Sequence, residues 1–105
     1  MRILVANHPA AYRDALARTL AAVRPDAAIA TAPASAVPFA ALEAYDLVIC
    51  SRATAALESA PCAWVELYPA DTSPSRVSLG GVVRTLDDPT LDDLIAIVDA
   101  VAIDV

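Results

Sequence analysis

The sequence predicts an α/β fold: an open parallel sheet with helices on both faces, its fourth crossover helix missing and replaced by an antiparallel edge hairpin. Short apolar runs such as "RILVA", "DLVIC" and "CAWVEL" alternate with amphipathic stretches, the pattern of strands joined by crossover helices. After Leu67, "YPADTSPS" is too short for the helix that another parallel strand would need. "RVSLGGVVRTL" then reads as two strands about a Gly-Gly turn, glycine supplying the positive φ of a tight hairpin.

Each element has its own signal. "RILVA" is a continuous apolar run, as expected of a strand buried on both faces. Pro9 suits the start of a helix, and Tyr12, Ala15, Leu16, Thr19, Leu20 and Val23 recur at helical spacing before Arg24-Pro25, giving a helix over 9–23. "AAIATA" (27–32) is a second strand after a Pro-Asp turn. "SAVPFAALEAY" is a short helix with Ser35 as cap, Pro38 in its first turn, and Phe39 and Leu42 toward the sheet. "DLVIC" (46–50) is the clearest central strand; "SRATAALES" makes a brief helix and "CAWVEL" (62–67) a fourth strand. The hairpin occupies about 76–79 and 82–86, its strand order open. Asp88 as cap and Pro89 in the first turn start a last helix over 89–102, with Leu91, Leu94, Ile95, Val98 and Val101 on one face. The acids of "DDPTLDD" complement that helix's macrodipole rather than making a metal site.

At 105 residues the chain is one domain, residues 1–105, with a single core. The hydrophobic share is 58%, much of it alanine, but no apolar run approaches the roughly 20 residues of a membrane span. Nor is "ILVA" long enough for a secretory signal, so the expected location is cytoplasmic. Seven arginines, no lysine and a net charge of −6 disfavour nucleic acid. Cys50 and Cys62 fall at opposite ends of neighbouring strands, roughly 15 Å apart, too far for a disulfide.

"ILVANHPAAYRDAL" (3–16) and "YDLVICSR" (45–52) resemble the bacterial response-regulator receiver family, over residues 1 to about 68 and, more loosely, the final helix. The resemblance implies a flavodoxin-like fold and a phospho-accepting, magnesium-binding switch that signals through its last strands and helices. Position by position, that chemistry is missing. The acidic pair that holds the metal falls on Ala6 and Asn7, and the phosphoacceptor aspartate on Ser51, a hydroxyl with no metal or general base to activate it. The hydroxyl residue after the fourth strand falls near Leu67 or Tyr68. The lysine of the fifth strand has only Arg84 as an approximate substitute, whose planar fork is not an ammonium. The chain therefore resembles a degenerate receiver, a pseudo-receiver without aspartyl phosphorylation.

Three functions fit such a chain. The first is a non-catalytic signalling or protein-interaction module, a homodimer or the partner of another signalling protein. The missing helix would uncover apolar surface, with Leu79, Val83, Leu94 and Val98 as candidate interface residues; alternatively Trp64, Leu79, Val83 and the last helix repack within the monomer. The second is a site for a small anion or nucleotide at the carboxyl ends of the strands, built from Asn7, His8, Ser51 and Arg52 with the amides opening the third helix. Against it, Asn7 and Ser51 can satisfy backbone groups while Arg52 pairs with a carboxylate. The third is a hydrolase with His8 as base and Ser51 or Cys50 as nucleophile, but no glycine-rich nucleophile turn or orienting acid accompanies them. The expectation is a non-enzyme without cofactor or metal. Glu66, Tyr68 and Asp71 either complete a pocket near the sheet edge or decorate a loop.

Overall fold

A computed structural model describes residues 1–33, 39–67 and 74–104. Among these residues six strands form one mixed sheet: β1 (Arg2–Ala6), β2 (Ala28–Thr31), β3 (Leu47–Cys50), β4 (Ala63–Glu66), β5 (Ser75–Leu79) and β6 (Val82–Leu86). Their spatial order is β2-β1-β3-β4-β5-β6. The first four are parallel, and β5 and β6 each run antiparallel to the preceding strand. Among the described residues four helices connect or close them: α1 (Ala10–Val23), α2 (Phe39–Leu42), α3 (Ala55–Ser59) and α4 (Leu91–Asp104). The expected edge hairpin is present, and β5 is its inner strand.

Side-chain alternation along the strands splits the core into two layers. Ile3, Val5, Leu47, Ile49, Val65 and Val77 face α1 and α4, meeting Leu16, Leu20, Leu94 and Val98. Leu4, Ala6, Val48, Cys50 and Trp64 face the opposite way, toward Leu42 of α2 and Leu57 of α3. Burying each large side chain contributes about 1.5–3 kcal/mol, so both faces of the parallel strands must be covered, and β1, β3 and β4 read as unbroken apolar runs.

The hairpin turn is Gly80-Gly81 with φ of +58° and +82°, the type I′ geometry that only glycine takes without strain. Beyond it, coverage fails. Val82, Val83, Arg84 and Thr85 of β6 are all exposed, Val82 by 60% and Val83 by 52%. The register places Val83 opposite Ser78 and Thr85 opposite Arg76, on the α2/α3 side of the sheet, the face of Trp64.

Several expectations need correction. Thr90, not Asp88, caps α4: the Asp93 N–H donates to Thr90 Oγ1 at 3.2 Å and the Thr90 N–H to an Asp93 carboxylate oxygen at 2.9 Å, a reciprocal capping box. Asp88 instead takes φ +42° in the preceding turn. Leu91 is exposed and Ile95 half-buried, whereas Ile97 is in the core. Ser35, Pro38, Tyr68, Asp71 and the side chain of Phe39 lie outside the described residues. Cys50 and Cys62 are unbridged. Among the described residues no helix is long and apolar enough to cross a membrane.

Candidate functional site

The carboxyl ends of β1, β3 and β4 meet at one rim of the sheet, and β5, entering antiparallel, brings its first residues to the same place. Alternation puts Glu66 on the same face as Trp64, inside the sheet and fully buried. A carboxylate so placed must be paired and hydrogen-bonded, because its desolvation would otherwise cost several kcal/mol. Four contacts supply that. Arg76, on β5, closes a two-bond fork on it, with Nε to Oε1 at 3.0 Å and Nη2 to Oε2 at 2.9 Å. Arg52, just past β3, donates from Nη1 to Oε1 at 3.0 Å, and the Ala53 N–H donates to Oε2 at 2.8 Å.

Arg76 also bonds Glu58 of α3 at 2.9 Å, and its guanidinium lies 5.2 Å from the centre of the Trp64 ring, within cation–π range. It thus lies over the tryptophan on the α2/α3 face of the sheet. Burial pushes the Glu66 carboxyl upward, but hydrogen bonds from Arg76 and Ala53 and the two guanidinium charges outweigh it and hold the group below its ordinary value. Arg76 is held above its own, first by Glu66 and then by Glu58. Cys50, paired in register with Glu66, has its thiol pushed up to about 12 by burial and by that carboxylate's charge. A thiol so shifted is a poor nucleophile.

The four expected ligand residues are brought together, but the side chains of Asn7, Ser51 and Arg52 are engaged by the protein itself, and His8 is exposed. Asn7 is fully buried; its Nδ2 donates to the Leu67 carbonyl at 3.3 Å, and its Oδ1 has no hydrogen-bond partner. Ser51 Oγ accepts from the His8 backbone N–H at 3.0 Å. That contact ties the β1 and β3 ends through the main chain and leaves the imidazole out of it. Arg52 is ion-paired with Glu66. Of the amides around the start of α3, that of Ala53 is engaged by Glu66 and that of Leu57 by the Thr54 hydroxyl that caps the helix. A cavity of about 20 Å³ beside Ala6, Cys50, Arg52 and Thr54 has room for one water.

The sequence reading missed Arg76 and Glu58. Arg84, the expected approximate substitute for the lysine of the fifth strand, lies on the exposed outer strand. The strand beside β4 is β5, so Arg76 is the guanidinium at the rim. Glu66 resolves as a buried anchor rather than a loop decoration. Of the four expected interface residues, Leu94 and Val98 are buried in the core and Leu79 packs against it; Val83 alone is exposed. Compared with family models, curated proteins and solved structures, the chain has no match.

Proposed function

We propose that the chain is a non-catalytic, receiver-like signalling and protein-interaction module that self-associates through the outer edge of its hairpin. The order of its parallel strands, with α1 and α4 on one face and α2 and α3 on the other, supports a flavodoxin-like arrangement. The strand ends support the absence of phosphotransfer: Ala6, Asn7 and Ser51 stand where the receiver family keeps its acids, and Glu66 is locked between arginines.

The observation that carries the interaction reading is β6, an edge strand with Val82 and Val83 exposed. The two-residue turn makes Leu79 and Val82 the closing hydrogen-bonded pair, so strand alternation directs the N–H and C=O of Val83 and Thr85 away from β5. An open edge of this kind is a template for another strand. It fits a second copy: an antiparallel twofold through Val83 or Thr85 keeps Arg84 from facing its own copy, the like-charge contact that would oppose pairing. The anion alternative finds Arg52 and the Ala53 N–H already engaged by Glu66, and the hydrolase alternative finds Ser51 bonded to a backbone amide. Light scattering across a dilution series tests the proposal. The wild type should move from monomer to dimer mass with concentration while Val83→Lys stays monomeric; a wild-type monomer throughout would refute it.

A further inference from the structure

We propose that Arg52, Arg76 and the Ala53 N–H form an oxyanion site that the chain fills with its own Glu66 carboxylate, and that a free carboxylate takes that place when the side chain is removed. This inference does not depend on the hairpin edge or on self-association.

Three features carry it. The donor set is complete in itself: two guanidiniums and one amide, all at 2.8–3.0 Å from the two oxygens, the combination that binds carboxylates wherever planar, bidentate recognition is needed. The donors also have other supports. Arg76 keeps Glu58 and the Trp64 ring, and the Ala53 N–H is fixed in the backbone between β3 and the Thr54-capped α3. Finally, truncation at Cβ removes a methylene and a carboxylate, the heavy atoms of acetate. It takes one negative charge from beside both guanidiniums and leaves Arg76 its bond to Glu58. Their side chains are 35% and 32% exposed, so a small anion has a path to them from solvent.

Occupancy of this site has a mechanical consequence. Glu66 on β4 holds Arg52 behind β3 and Arg76 on β5, so a single carboxylate joins the parallel part of the sheet to the hairpin. Emptying the site should loosen β5 and β6 more than β1 and β2, and refilling it should restore them.

The test compares thermal unfolding of Glu66→Ala, Glu66→Ser and Glu66→Gln with wild type, in acetate, formate and chloride at matched ionic strength. The Ala and Ser variants should melt lower than wild type in chloride. They should gain on the order of 5 °C in about 100 mM acetate, with formate weaker and chloride ineffective. Wild type and Glu66→Gln, whose sites are filled, should not respond. Hydrogen exchange in the Ala variant should show acetate restoring protection in residues 75–86. Equal responses to acetate and chloride, an equal response in Glu66→Gln, or a failure of acetate to stabilise or refold both cavity variants would overturn the proposal.

Discussion

Replacing Arg76 with methionine removes the guanidinium while keeping an apolar chain over Trp64. The substitution deletes both bonds of the fork on Glu66 and the bond to Glu58. Stranding a fully buried carboxylate costs about 3–5 kcal/mol. Here Glu66 keeps Arg52 at 3.0 Å and the Ala53 N–H at 2.8 Å, about a third of the Arg76 side chain is in solvent, and the methionine sulfur gains a contact with the indole. These offsets reduce the expected loss to about 2 kcal/mol, or roughly 10 °C in melting temperature for a domain of this size. Urea titration followed by fluorescence reads it directly, because Trp64 is the sole tryptophan and is buried. The effect depends on pH in a fixed direction. The folded pKa of Glu66 lies below its ordinary value, so its contribution is complete above the unfolded carboxylate pKa and is lost as pH falls through the folded one. The gap between wild type and Arg76→Met should therefore be widest near neutrality and narrow in acid. A loss under about 0.5 kcal/mol at neutral pH, the size of an exposed ion pair, or a gap that widens in acid would refute the account of the network.

Two further expectations concern reactivity. Native-state alkylation at mildly alkaline pH, read by peptide mass, should modify half-buried Cys62 before Cys50, whose thiol is pushed up to about 12; preferential labelling of Cys50 would contradict its placement against Val65 and Glu66. Incubation with acetyl phosphate and magnesium should leave the intact mass unchanged. Addition of a phosphoryl group at a carboxylate would show that a transfer site exists despite Ala6, Asn7 and Ser51.

The parallel strands were legible because strands covered on both faces must be apolar throughout, and "RILVA" and "DLVIC" are. The hairpin was legible from Gly80-Gly81, since both positions need positive φ. The start of α4 was misplaced because Asp88 and Thr90 are both capping residue types. The discriminating signal was Asp93, three residues after Thr90, which completes a reciprocal box that Asp88 lacks. The charged network was hardest to read. Arg76 lies ten residues from Glu66 in sequence, and only the antiparallel entry of β5 beside β4 brings them together. A hint was present in "CAWVEL", where the alternation puts Glu66 on the face of Trp64, a buried carboxylate that needs a cation from elsewhere. Leu94 and Val98 show a related limit of pattern: an apolar helical face looks the same in sequence whether another chain or, as here, the core of its own chain covers it.

The claim that β6 is the working surface is tested most directly by amide hydrogen exchange at Val83 and Thr85, whose N–H groups point away from β5. Self-pairing predicts that both amides become protected as protein concentration rises, and that Val83→Lys removes this gain. Exchange of the two amides at the same fast rate at every concentration would contradict it.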